Sequence, residues 1–230
     1  MSSTNKGIAV VTGAAGGMGS HIARRLHRDG HRVLLTDIAL DPAQRIAEEL
    51  SPDGSTARAA VLDVAHRQGF VDALAHVQSV WGTPTIVVNN AALTQAADLM
   101  TLDEPDFTRV LNTNVNSIFF GCQVFGAAMA DEGYGRIVNM ASLAGQNGGT
   151  ATGAHYATSK GAILTVTKIF AKELAAKGVT VNAMISVIVA PQARDRMLPA
   201  AKALAARRRL DRERQQLGLV GGGAADQEGA

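Results

Sequence analysis

From residue 8 to residue 184 the chain alternates short β-rich runs with longer helix-patterned segments, and it completes six such units. "IAVVTG" at 8–13 leads into "MGSHIARRLHRDG" at 18–30, and "RVLLTD" follows at 32–37. Gly30 stands where a helix C-cap is expected. "DPAQRIAEEL" at 41–50 predicts a second helix with Asp41 as N-cap and Pro42 at the first helical position, and "ARAAVLD" at 57–63 a third strand. Residues 67–81 read as a helix, "TIVVNN" at 85–90 as a strand, and 104–131 as a long helix opened by Asp103 with Pro105 in its first turn. "RIVNMAS" at 136–142 is strand five, a helix runs from about Tyr156 to Lys177 and stops at Gly178, and "VTVNAM" at 179–184 is strand six. Right-handed crossovers between parallel strands put helices on both faces of the sheet. The pattern therefore predicts an α/β fold with an open, doubly wound parallel sheet; a closed eightfold barrel would need two more units.

Composition fits that reading. Apolar residues make up 47% of the 230 but aromatics only 4%, so the core has to come from Ala, Val, Ile and Leu, the mix found where helices pack on a parallel sheet. One domain over 1–190 is expected, followed at 191–230 by a tail of different character: "LPAAKALAARRRLDRERQQLGL" reads as helix and "GGGAADQEGA" as a disordered end. Residues 1–190 carry 14 Lys/Arg against 15 Asp/Glu, while 191–230 carry 8 against 5, so the net charge of +2 comes from the tail. No basic stripe marks a nucleic-acid surface, and "ARRRLDRER" at 206–214 reads as a solvated helix face. The single Cys122 rules out an internal disulfide and reads as a buried helical residue in a reducing compartment. "MSSTNKG" has no apolar signal core and no run is long enough to span a bilayer, so a soluble, cytoplasmic protein is expected. No His/Cys/Asp/Glu spacing suggests a metal site.

The first strand-to-helix turn reads "TGAAGGMG", with Gly13, Gly17 and Gly19. Glycines there let the backbone turn tightly and approach a diphosphate, whose charge the N–H groups and dipole of the helix start can meet. The spacing is G-x-x-x-G-x-G, so the dinucleotide reading needs its context, and a plain structural turn is the rival. Asp37 supplies that context. It ends the second strand, 18 residues after Gly19, where a carboxylate can accept hydrogen bonds from the adenosine ribose. It would repel a 2′-phosphate, and neither Ala14 nor Ala15 offers a cation to attract one, so NAD is favoured over NADP. Taken alone, Asp37 could be a turn or cap residue.

"HYATSKGAIL" at 155–164 places Tyr156 and Lys160 four residues apart on one helix face. A phenol with a free pKa of about 10 is a poor acid or base near neutrality, and a neighbouring ammonium stabilises its anion. The pair could thus make the tyrosine a usable proton donor and acceptor; by itself it could equally be a surface pair.

The five motifs "TGAAGGMG", "NNAA" at 89–92, "NTNVNS" at 112–117, "NMASLAG" at 139–145 and "YATSK" at 156–160 resemble, in order and spacing, the short-chain dehydrogenase/reductase family, over residues 7–184. The resemblance implies a Rossmann-type fold and hydride exchange between a nicotinamide cofactor and a secondary alcohol or carbonyl substrate. It makes Ser142 the hydrogen-bond donor to the substrate oxygen and Tyr156 the residue that exchanges the proton with it. Lys160 would lower the tyrosine pKa and hold the nicotinamide ribose, and Asn114 would bind a water that passes protons to Lys160. Asp63 and Val64 would face the adenine, Asn90 and Ala91 would lie along the cofactor, and Met18, Ile38, Ala92 and Val189 would complete its contacts. A homodimer or homotetramer through helices 104–131 and 156–177 is implied too. Each residue has a plainer reading: Ser142 a turn residue, Asn114 a buried helix hydrogen bond, Asp63 a helix cap, His155 a cap or pocket wall.

The likeness stops after strand six. Ser186 and Val187 stand where the family has Pro-Gly, and Ala190 stands where it has Thr. The usual seventh strand and its ending are missing or replaced, which leaves strand six as an edge unless a helix at 193–218 covers it. The expectation is an NAD-dependent oxidoreductase. Its rivals are a nucleotide-binding protein without catalysis and a truncated or frame-shifted product.

Overall fold

A computed structural model describes residues 6–149 and 152–186. Its elements are β1 (Ile8–Thr12), α1 (Gly17–Arg28), β2 (Arg32–Asp37), α2 (Leu40–Leu50), β3 (Ala57–Val61), α3 (Arg67–Val80), β4 (Ile86–Asn89), α4 (Glu104–Asp131), β5 (Gly135–Ser142), α5 (Ala144–Asn147), α6 (Ala154–Ala175) and β6 (Val179–Ser186). The strands form one sheet in the order β3-β2-β1-β4-β5-β6, every neighbouring pair parallel. This is the doubly wound, Rossmann-type arrangement that the alternation predicts. From β1 the chain winds outwards to β3, then returns to β4 on the other side of β1 and winds the opposite way. The loops leaving β1 and β4 therefore part at the carboxyl end of the sheet, the place where such folds hold a ligand.

Both faces of the central strands β1, β2 and β4 are buried, which is why these strands read as continuous apolar runs. Ala9, Val11, Val33 and Leu35 pack with Ala23 of α1 and with Ala43 and Ala47 of α2. Val10, Leu34, Val87 and Ile137 pack on the opposite side with Phe70, Ile118, Phe125 and Ile163 from α3, α4 and α6. Alanines bring the first helix pair close to the sheet. The second side is filled by larger side chains, Phe70 meeting Phe125 edge-on with centroids 6.3 Å apart.

Several local expectations hold. Asp103 caps α4 by accepting the Asp106 N–H at 2.9 Å, with Pro105 in the first turn. Gly30 and Gly178 take left-handed backbone, with φ of 93° and 75°, just past α1 and α6. The reading of α2 needs correction: it starts at Leu40 after Ala39, so Asp41 lies in its first turn and is not the N-cap, and Pro42 is not its first residue. The cause lies upstream, where the Asp37 Oδ1 accepts the Ala39 N–H at 3.0 Å and sets the entry of the helix. β3 stops at Val61 because Asp63 turns the chain, its Oδ1 accepting the Ala65 N–H at 2.9 Å. α6 begins at Ala154, two residues before Tyr156, and α5 was not expected. The tail at 191–230, the helix expected at 193–218, and Val187, Val189 and Ala190 lie outside the described residues. Among the described residues no helix is long and apolar enough to cross a membrane.

Candidate active site

The glycine turn is held in shape by the loop after β4. The Thr12 hydroxyl accepts the N–H groups of Asn90 and Ala91, each at 3.0 Å, and the Asn90 amide donates to the carbonyls of Thr12 and Gly13 at 2.9 and 3.2 Å. Gly13 has φ 65°, and a Cβ on Gly19 would run into the Gly13 carbonyl, so both positions require glycine. Around Gly16 and Gly17 a Cβ would meet nothing within 4 Å, although the φ of 52° at Gly17 still favours glycine there. Their bare backbone opens onto space. Gly16 also brings no side-chain cap to α1, so the first N–H groups of that helix keep their capacity for an anion.

A cleft of about 540 Å³ opens beside this turn. Gly13, Asp37, Ile38, Asp63, Val64, Asn90, Ala91 and Ala92, eight of the residues expected to bind a cofactor, line it together. Gly17 and Gly19 belong to the first turn of α1, while Met18 packs partly buried against the core beneath α1 and α2. The Asp37 Oδ2 accepts the Ala15 N–H at 2.9 Å, tying the end of β2 to the glycine turn. Asp63 organises its own turn and pairs with His66 Nδ1 at 3.0 Å. Each carboxylate thus does what its plainer reading asks and also faces the cleft. The space, the open glycine backbone and the acidic rim fit a dinucleotide.

The four catalytic candidates lie next to this cleft and not in its wall. Tyr156 is 5% exposed, Lys160 4%, Ser142 8% and Asn114 0%. The Lys160 Nζ donates to the Met140 carbonyl at 2.6 Å and lies 5.5 Å from the centre of the Tyr156 ring. Tyr156 packs on Ala144, and Ser142 accepts the Ala144 N–H at 3.2 Å, so the end of β5 and the start of α6 share one small structure. Gly145 permits it, since a Cβ there would strike the backbone of Lys160 and Gly161. Burial of the ammonium lowers the Lys160 pKa to about 8.

Both side-chain N–H groups of Asn114 are committed, and its Oδ1 has one partner. Its Oδ1 accepts the Leu93 N–H at 2.7 Å, and its Nδ2 donates to the Leu93 carbonyl at 3.0 Å and to the Ser159 Oγ at 2.9 Å. Leu93 lines the cleft, so Asn114 links the cleft wall to α6. The plainer reading of Asn114, a hydrogen bond between helices, is what this geometry displays. His155 is wholly buried, its Nδ1 accepting the Tyr156 N–H at 2.9 Å. Cys122 is a buried free thiol whose pKa is pushed up to about 12 by burial.

Against this geometry, a family model described as short chain dehydrogenase matches residues 7–201. The chain belongs to the short-chain dehydrogenase family. Its chemistry is that family's NAD(P)-dependent oxidoreduction. The chain is 35% identical over 177 residues to the 3-oxoacyl-acyl-carrier-protein reductase FabG of Pseudomonas aeruginosa, covering 77% of this chain and 71% of that protein. It is also 35% identical over 182 residues to the sorbitol dehydrogenase of Cereibacter sphaeroides, covering 79% and 70%. Among solved structures, NAD+-bound xylitol dehydrogenase superposes with a TM-score of 0.74 at 33% identity, over 78% of this chain and 69% of that one.

Within this short-chain dehydrogenase several site residues escape a reading of the sequence. Ser159 lies three residues after Tyr156 on the same helix face, and that spacing is a usable signal. Thr12, which opens the glycine motif, serves through its hydroxyl, and β4 has to be in place before that can be seen. Gly16, Leu62, Leu93, Arg109 and Thr113 also line the cleft. Nothing in the sequence pattern singles out Arg109.

Proposed function

We propose that this chain uses NAD(H) to interconvert a secondary alcohol and a ketone, with Tyr156 as the acid and base. The observation that carries the reading is the buried Tyr156–Lys160 pair, held to the Ser142 end of β5 by the Lys160 bond to Met140. The nicotinamide supplies the hydride when bound. The Ser142 hydroxyl hydrogen-bonds the substrate oxygen and fixes its place, while Tyr156 gives that oxygen a proton during reduction and takes one during oxidation. Lys160 brings positive charge next to the phenol, and Asn114 keeps the helix carrying both in register with the cleft wall. Proton passage through a water at Asn114 belongs to the same reading. Low exposure of all four groups keeps bulk water from the reacting atoms.

NAD is favoured by Asp37, whose carboxylate lies in the cleft where a 2′-phosphate would be repelled, and by the NAD+-bound relative. Gly13, Gly17 and Gly19 with the start of α1 would hold the diphosphate, Asp63 and Val64 the adenine, and Asn90 to Ala92 the length between. The named relatives reduce a 3-oxoacyl group or oxidise a polyol, and an alcohol–carbonyl pair is common to them. We also infer a cytoplasmic homodimer or homotetramer through α4 and α6, whose outer sides leave Phe119 43% and Ile169 59% exposed.

Tyr156→Phe tests the proposal. Turnover should fall by about a thousandfold while NADH affinity stays within about twofold of the unmodified chain. Retained turnover would remove Tyr156 from its role.

A further inference from the structure

We propose that Arg109 is a cofactor-binding residue, the cation that meets the dinucleotide's diphosphate from the α4 side of the cleft. The inference rests on the cofactor reading above and adds a residue to it.

Charge gives the first reason. Among the described residues, those lining the cleft include two carboxylates, Asp37 and Asp63, and a single cationic side chain, that of Arg109. A dinucleotide brings further negative charge into this acidic space. The start of α1 offers only about half a charge through its backbone dipoles. A guanidinium offers a planar fork suited to phosphate oxygens; Asp106 and Gln95 engage only its Nη2, so among the described residues its Nε and Nη1 edges remain open to a ligand.

Geometry gives the second. The Arg109 Nη2 donates to Gln95 Oε1 and to Asp106 Oδ1, both at 2.7 Å, and Gln95 Nε2 donates to Asp106 Oδ2 at 3.0 Å. Three side chains close a ring that fixes the guanidinium at the rim, with its side chain 50% exposed and so within reach of a ligand. The ring itself is anchored, because Asp103 caps the Asp106 amide and the Gln95 carbonyl accepts the Gly153 N–H at 3.2 Å, just ahead of α6. Hydrogen bonds from Arg109 and Gln95 hold the Asp106 carboxyl below the usual carboxylate range. Thr113, one helical turn after Arg109 on the same face, lines the cleft as well. The plainer reading is an exposed ion pair three residues apart that supports only α4.

The two readings separate in a binding titration that needs no turnover. NADH, ADP-ribose and adenosine would be titrated into the full-length protein, into Arg109→Gln and into Arg109→Lys, at low salt and at about 0.5 M salt. Arg109→Gln should bind NADH and ADP-ribose about tenfold more weakly at low salt and adenosine equally well, with much of the salt dependence gone, and Arg109→Lys should recover most of the loss. Unchanged NADH affinity in Arg109→Gln overturns the proposal. So does an equal loss for adenosine, which would put Arg109 against the base or reveal damage to the fold. If the unmodified chain binds neither NADH nor NADPH, the cofactor reading fails and this inference falls with it, a result told apart by the parent protein alone.

Discussion

The cofactor half of the site and the catalytic half are built in opposite ways. Around β1, α1 and the loop after β4, the work is done by backbone: Gly13, Gly16 and Gly19 matter for the atoms they lack, and Thr12 and Asn90 matter because they hold the turn. Around β5, α4 and α6, the work is done by buried side chains whose polar atoms find partners on neighbouring elements. The first half should fail through shape and the second through chemistry or charge. Substitutions in the first should therefore cost binding before turnover, and in the second turnover before binding.

The sharpest way to break the comparison is Gly19→Ala. Its methyl group would collide with the Gly13 carbonyl, and backbone does not yield as a side-chain tip does. NADH affinity should drop about a hundredfold and stability by about 2 kcal/mol, measured by fluorescence titration and urea unfolding. Normal affinity would mean that the turn is softer than its contacts imply. Asp37→Ala comes next, with NADH binding about tenfold weaker and the preference over NADPH narrowed or lost; an undiminished preference would relocate the selectivity.

Lys160→Met sharpens the other side with a smaller effect. The folded-state pKa of Lys160 is about 8, below its ordinary value of 10.5. Between those values the unfolded chain holds more protons at this position, so the Lys160 contribution to stability rises with pH and is lost as pH falls through 8. From pH 7 to pH 9 the ligand-free parent should gain about 1 kcal/mol relative to Lys160→Met in urea unfolding. Equal pH slopes would mean that Lys160 is better solvated than its burial indicates.

The central strands β1, β2 and β4 were legible in the sequence because both of their faces are buried and they read as apolar runs between helical patterns. The long helix after Asp103 was legible to the residue, since a cap and a proline in the first turn are local signals. The start of α2 was misread because the deciding signal lies just upstream of the segment that looks like a cap. Asp41 and Pro42 look like a helix start, yet Asp37, at the end of the preceding strand, had already set the turn. α5 was missed because four residues carry no period.

Sequence alone determined the alternation, the parallel sheet, the glycine turn, and the presence of Tyr156 and Lys160 on one helix face, all of which follow from local periodicity and steric freedom. Tertiary structure alone decided that eight scattered cofactor candidates share one cleft, that Asn114 spends its amide on Leu93 and Ser159, and that Arg109 reaches the cleft rim. These depend on contacts between segments far apart in the chain. Burial also decided the charge behaviour of Lys160, because desolvation is set by what packs around a group and not by its neighbours in sequence.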